Sequence, residues 1–239
     1  MKKLLLIDLI TDDGSINYLE EVRSALGEQA DKFDLTHIHL PAGGFDPAVV
    51  GRADLILLSG SYKSAYENFD WKPLCHMVFE LVIQSGKPAL ANCFSAQFLA
   101  LHLGGRVEKN KNGLEFGPVQ IRLTPAAGSF TLLHPYTSEK HLFATHQDCI
   151  TELPSDCTLL AHNENSPVQA YVYGNILATQ FHSDLPVHTA RRLLHNRKER
   201  YLNEGVFSDE TSFQDLHRRL ELIGESHQFL LDWLALHSR

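Results

Sequence analysis

The feature that most constrains this chain is an alternation, through its first ~100 residues, of short apolar runs with stretches patterned at helical spacing. Lys3–Ile10 reads as a buried strand. The next segment predicts a helix to about Leu26, with Ser15 able to cap it and Asn17, Glu20 and Glu21 in its early turns. Asp34–Leu40 alternates polar and apolar, and Ala53–Leu58 is a second apolar run closed by Ser59-Gly60-Ser61. From Trp71 to Gln84, apolar residues recur at helical spacing at Leu74, Val78, Leu81 and Val82. Pro88–Leu90 then runs into Ala91-Asn92-Cys93-Phe94-Ser95, and a helix-like stretch from Gln97 to Leu103 follows at once. Repeated strand–helix units bury a parallel sheet between helices, because parallel neighbours need a crossover and a helix is the compact one. Ligands of such sheets bind beyond the carboxyl ends of the strands, where Gly60 and Cys93 both fall.

The middle of the chain reads differently. Gly104-Gly105-Arg106-Val107 opens a β-rich stretch in which Val119–Leu123, Phe130–Leu133, Asp148–Leu153 and Val168–Tyr173 are expected as short strands. Gly174-Asn175 predicts a hairpin turn into Ile176–Phe181. Helix returns after Pro186, with Arg191, Arg192, Arg197, Lys198 and Arg200 expected on a solvated face. A last amphipathic helix is expected over about Thr211–Leu236, carrying Leu216, Leu220, Ile223, Leu230 and Trp233. No linker rich in Pro, Ser or Gly divides the chain and no internal repeat is visible. Residues 1–239 are therefore expected to form one domain, with 186–239 as a helical extension. The expected architecture is α/β: a flavodoxin-like three-layer sandwich with a mostly parallel sheet, a β-rich insertion and C-terminal helices.

A formal net charge of −8 and the lack of any basic run argue against nucleic acid as a partner. Met1-Lys2-Lys3 followed by Leu4–Ile10 superficially suggests a signal peptide. Asp8 interrupts that apolar run, however, and Thr11-Asp12-Asp13-Gly14 offers no small-residue cleavage site. No stretch approaches ~18 uninterrupted apolar residues, so no membrane span is expected. None of Cys75, Cys93, Cys149 and Cys157 forms a C-x-x-C pair or a zinc spacing. Free thiols in a reducing, cytoplasmic setting are the expectation, with Cys75, Cys149 and Cys157 serving packing.

Cys93 stands apart because it sits where an apolar strand turns sharply into a helix. A free thiol titrates near ~8.5, so it needs help to become a nucleophile at neutral pH. Ile176–Phe181 supplies a second apolar strand that ends in His182, with Asp184 two positions on. An imidazolium stabilises a thiolate and later protonates a leaving amine, and a carboxylate on its other nitrogen fixes tautomer and orientation. Cys93, His182 and Asp184 together are what a thiol-based acyl-transfer centre requires. The turn also aims a helix N-terminus at the reacting carbonyl, which makes the Phe94 amide a natural oxyanion donor.

Three blocks give the chain a resemblance to class I glutamine amidotransferases, in particular to the glutaminase domain of GMP synthetase and to plant gamma-glutamyl peptidases. Leu57–Ser61 with Tyr66-Glu67-Asn68 resembles the family's oxyanion-loop strand and the segment after it. Lys87–Gln97 with Leu103–Val107 resembles its nucleophile elbow, helix and following turn. His146-Gln147-Asp148, Leu153-Pro154 and Gln180-Phe181-His182 resemble its last blocks. Together they span roughly residues 50–185 in the right order. The elbow departs from the family's usual Gly-x-Cys-x-Gly-His-Gln: here it carries Ala91, Ser95 and Ala96, and the carboxylate after the His is Asp184 rather than Glu.

The resemblance implies that Cys93 attacks a gamma-glutamyl amide, that His182 acts as base and acid with Asp184 orienting it, and that water resolves a glutamyl thioester. It further implies backbone oxyanion donors at Gly60 and Phe94, and places Gln97 and His146 along the substrate pocket. No metal or organic cofactor is implied. Three readings follow: a free-standing glutaminase or gamma-glutamyl hydrolase, a glutaminase subunit passing ammonia to a separate synthetase, and a non-catalytic binding or regulatory relative. No P-loop or synthetase segment is visible, so any ammonia acceptor is expected on another chain.

Overall fold

The computed structural model describes residues 1–11, 16–224 and 226–238. Ser15, read as a helix cap, lies outside the described residues. Strand and helix alternate as expected through β1 (Lys2–Asp8), α1 (Tyr18–Leu26), β2 (Phe33–His39), α2 (Ala48–Arg52), β3 (Leu55–Leu58), α3 (Lys72–Ser85), β4 (Ala89–Asn92) and α4 (Phe94–His102). The β-rich stretch gives β5 (Arg106–Lys109), β6 (Glu115–Val119), β7 (Arg122–Leu123), β8 (Leu142–His146), β9 (Asp148–Glu152), β10 (Thr158–His162), β11 (Ala170–Tyr173) and β12 (Ile176–Thr179). The tail folds as α5 (Val187–Asn196), α6 (Lys198–Asn203), α7 (Glu210–Arg219) and α8 (Gln228–His237).

The main sheet runs β2-β1-β3-β4-β12-β11-β10-β7. Its first five strands are parallel and the remaining three add antiparallel. Residues of β1 show why the sheet is covered on both faces. Leu5 and Ile7 pack with Val78, Phe79 and Val82 of α3 and Phe98 and Leu99 of α4. Leu4 and Leu6 pack with Val22, Ala25 and Leu26 of α1 and Phe229, Leu230 and Trp233 of α8. Alternate side chains of a strand point to opposite faces, so an uninterrupted apolar strand forces a three-layer α/β sandwich of flavodoxin-like type. Each such buried side chain is worth roughly 1.5–3 kcal/mol. Two short antiparallel pairs, β5–β9 and β6–β8, form the insertion beside the main sheet. A third cluster joins Phe143 and Leu185 to Leu193, Tyr201, Phe213 and Leu216 of the C-terminal helices.

Several local expectations change. Asn17 sits at the cap of α1 and accepts from the Glu20 amide. Phe130–Leu133 is not a strand: it falls in 3₁₀ turns over Pro125–Ser129 and Thr131–Thr137, where Leu133 and Tyr136 pack towards the α8 side. A four-residue apolar run is ambiguous between buried strand and buried turn, and Pro125 and Pro135 cannot donate to a ladder. Val119–Leu123 divides between β6 and β7. The single last helix is two: α7 passes into a 3₁₀ turn and stops at Gly224, whose φ of 51° a helix cannot continue through. Strands β8 and β10 had no clear pattern in the sequence. The Gly174-Asn175 hairpin forms as expected, with Tyr173 opposite Ile176 and Gly174 at φ 53°.

Candidate active site

Strand order, not proximity in sequence, assembles the site. β12 lies parallel to β4, with Thr179 opposite Asn92, so the residues that continue each strand emerge side by side. Beyond β4 the chain reverses at Cys93, which has φ 51° and is the one non-glycine residue with positive φ among the described residues. A side chain in that region costs of order 1–3 kcal/mol and persists only where surrounding bonds enforce it. Here the Cys93 amide donates to Thr179 O at 2.7 Å. Asn92 Oδ1 accepts from Thr179 Oγ1 at 3.1 Å and from Ser183 Oγ at 2.8 Å, tying the elbow to the segment that carries His182 and Asp184.

His182 is fixed from both sides. Its amide donates to Phe143 O at 2.7 Å, and its Nδ1 lies 3.1 Å from Asp184 Oδ1, which is fully buried. Because a carboxylate only accepts, that contact puts the proton on Nδ1 and turns Nε2 towards the thiol. Burial pulls the imidazole pKa down, but hydrogen bonds to Asp184 and Cys93 and their charges outweigh it, and the ring is raised to about 10. The Cys93 sulfur also has Thr145 O and Gln180 Nε2 at 3.8 Å. Gly60, after β3, closes the site from above. A Cβ there would lie 2.8 Å from His182 Cε1 and 3.5 Å from Cys93 Cβ, so only glycine leaves the ring its place. Phe94 is the first residue of α4, so its amide has no intrahelical acceptor.

The altered elbow residues fit their surroundings. Ala91 is fully buried in the sheet core. Ser95 Oγ donates to Ser59 O at 2.5 Å, and Ser59 Oγ in turn donates to Gly60 O at 2.9 Å. A side chain at 95 thus laces the elbow helix to the Gly60 loop. Ala96 is buried, and its carbonyl accepts from Tyr171 Oη at 2.6 Å.

Gln97 and His146 both line the pocket that opens over Cys93. Gln97 Nε2 donates to Asp148 O at 2.9 Å and Gln180 Oε1 at 3.1 Å. His146 is buried with Nδ1 2.9 Å from Asp148 O and Nε2 2.7 Å from Glu115 Oε2. Burial raises the Glu115 carboxyl, but donors from His146, Asn163 and Gln169 prevail and leave it below the usual carboxylate range. With both nitrogens engaged, His146 builds the wall rather than reaching into the cleft.

The basic C-terminal stretch is not merely a solvated face. Arg197 and Arg200 line the same pocket, and their guanidinium carbons lie 4.6 and 4.5 Å from the centroid of the Tyr62 ring. Arg200 also bonds Glu204 at 2.7 Å and Gln147 at 3.2 Å, while Lys198 pairs with Glu210 and Arg191 with Glu221. Asp148, which also lines the pocket, accepts from the Tyr66 hydroxyl at 3.1 Å. Sequence reasoning missed these wall residues. The three-residue spacing of Arg197 and Arg200 was the available signal, but nothing local said which way it faced.

The sequence profile described as glutamine amidotransferase class-I matches residues 28–197. The chain belongs to the class I glutamine amidotransferases. Within that family it is 34% identical over 143 residues to a glutamine-hydrolyzing GMP synthase of Azoarcus sp., covering 57% of this chain and 26% of that protein. It is 30% identical over 174 residues to gamma-glutamyl peptidase 5 of Arabidopsis thaliana, covering 70% of this chain and 67% of that protein. The chain therefore spans about a quarter of the GMP synthase but two thirds of the peptidase. A solved glutamine amidotransferase of Thermotoga maritima superposes with a TM-score of 0.75 over 98% of both chains at 20% identity, which bears on the fold. Among the described residues no helix is long and apolar enough to cross a membrane.

Proposed function

We propose that this amidotransferase-family protein is a thiol hydrolase that cleaves gamma-glutamyl amide bonds through Cys93, His182 and Asp184. The observation that carries the reading is the strained φ of Cys93, which holds its thiol at the helix start beside a buried imidazole raised to about 10. Strain kept at one residue, with the elbow bonded down around it, is the signature of a site where geometry serves chemistry.

In this reading the Cys93 thiol passes its proton to His182 Nε2, and the thiolate attacks the amide carbon of glutamine or of a gamma-glutamyl compound. The carbonyl π electrons move onto oxygen, and the amides of Phe94 and Gly60 stabilise that oxyanion. His182 Nε2–H then protonates the leaving nitrogen as the C–N bond breaks, releasing ammonia or an amino compound and leaving a glutamyl thioester. His182 next takes a proton from water as the water oxygen attacks the thioester, and glutamate leaves with the thiol restored. Asp184 holds the ring throughout. Gln97 and His146 shape the pocket wall. We treat residues 1–239 as one working unit, because α5, α6 and the Arg197 joint between them contribute Leu193, Arg197, Arg200 and Tyr201 to the pocket that Cys93 faces.

The match to GMP synthases supports a second reading, in which the same hydrolysis feeds ammonia to a separate synthetase chain. The discriminating experiment is mass spectrometry after exposure to a diazoketone analogue of glutamine. One adduct, on Cys93 and absent from Cys93→Ala, is the expected result, because burial raises the thiols of Cys75, Cys149 and Cys157. An unmodified Cys93 would remove the hydrolase reading and leave a binding role. Copurification with a synthetase would favour the ammonia-donor reading.

A further inference from the structure

Asp184 has two carboxylate oxygens and only one is accounted for. Oδ1 takes the His182 Nδ1 proton, while Oδ2 is buried with no hydrogen-bond partner. A second buried oxygen is in the same position: the hydroxyl of Tyr18, the first residue of α1, which is 2% exposed. Helix α1 lies against the segment that follows Asp184, since Glu21, three residues after Tyr18, accepts from Thr189 Oγ1 and pairs with Arg192, and the Asp184 carboxylate is the group that acts most on the Tyr18 hydroxyl. Asp8 also bears on Tyr18, but its own oxygens are occupied. Its Oδ1 accepts from the Ile10 amide at 2.9 Å, and its Oδ2 has His37 Nε2 and His39 Nδ1 at 3.1 Å. Buried polar atoms left unmatched are rare, and a hydroxyl proton turns freely about its C–O bond to meet an acceptor.

We infer that the Tyr18 hydroxyl donates to Asp184 Oδ2 and so pins the carboxylate with Oδ1 turned to His182, making Tyr18 a positioning residue of the thiol centre. The inference rests on the hydrolase reading above for its consequence in catalysis, but the contact itself does not depend on turnover. It also answers a problem posed by the sequence. Asp is one methylene shorter than the Glu usual in the family, and a shorter carboxylate needs a second tether to sit in line with the imidazole. Burial, and after it the Asp184 charge, push the Tyr18 phenol well above its ordinary value, so the hydroxyl keeps the proton it donates.

The test is a cycle of wild type, Tyr18→Phe, Asp184→Asn and the double variant. It is read by the NMR resonance of the His182 Nδ1 proton and by the rate of Cys93 alkylation with iodoacetamide. Tyr18→Phe is expected to keep the melting temperature within a few degrees, move the Nδ1 resonance and slow alkylation about tenfold, the scale of one bond to a charged group. In the Asp184→Asn background the same change should add nothing, because both variants remove one interaction. An unmoved resonance, or effects that multiply in the double variant, would show that Tyr18 serves packing alone. Wild-type protein gives an independent arm that needs no variant to fold: a slowly exchanging Tyr18 hydroxyl proton is expected, and its absence overturns the inference. If wild-type Cys93 alkylates no faster than the other thiols and no gamma-glutamyl compound is turned over, the hydrolase reading fails. The NMR arms still decide the Tyr18–Asp184 contact.

Discussion

At the scale of single residues, the proposed thiol centre depends on one carboxylate oxygen 3.1 Å from His182 Nδ1. Asp184→Asn removes the charge but not the shape. The amide can then present either its oxygen or its NH₂ to the ring, and in the second case the ring carries its proton on the nitrogen that should face the thiol. Loss of the same group in a serine triad costs ~10⁴ in kcat. A thiol gives up its proton more readily than a serine hydroxyl, so the expected loss here is smaller, about 10²- to 10³-fold. Turnover of a gamma-glutamyl anilide by wild type and variant, with melting curves to show that both fold, measures it. A variant as fast as wild type would reduce the centre to Cys93 and His182. Cys93 and His182 were legible because each closes an apolar run. Tyr18 was not, since a tyrosine after a cap residue is ordinary and the residue it is proposed to tether lies at the other end of the chain.

At the scale of elements, three strand ends and one helix start must keep their spacing. The loop after β3 is the tightest of these contacts. Gly60 has an ordinary φ, so Gly60→Ala adds a methyl without backbone strain and tests the contact alone. The new Cβ would meet His182 Cε1 at 2.8 Å, and the ring, bonded to Asp184 behind it, can yield only by leaving its line with Cys93. A shift approaching an ångström is worth up to ~100-fold in rate. The expectation is therefore a loss of about 10- to 100-fold in kcat, with little change in melting temperature and the alkylation rate of Cys93 lowered in parallel. The strand–turn–helix around Cys93 and the alternation of strand and helix could be read from local pattern. Strand β8 of the insertion and β10 of the main sheet could not: both are short and half-apolar, and what makes them strands is pairing with β6 and β11.

At the scale of the whole molecule, the buried imidazole couples the site to stability. His182 sits near 10 in the folded protein against ~6.5 for an ordinary ring. Below about 6.5 the ring is protonated whether folded or not, and its full contribution to stability is present. As pH rises the unfolded chain loses the proton first, so the contribution declines and is gone above about 10. The melting temperature should therefore fall more steeply between pH 6.5 and 10 in wild type than in His182→Gln, and parallel curves would mean that the ring is not held charged. Two kinds of information built this protein. Sequence alone determined the layered α/β class and singled out a cysteine just after one strand and a histidine just after another, because burial patterns and sharp turns are local properties of neighbouring residues. Tertiary structure alone decided that β12 lies beside β4 and that Arg197 and Arg200 turn into the cleft over Tyr62. Those are meetings between distant segments, and no periodicity within either segment encodes the other.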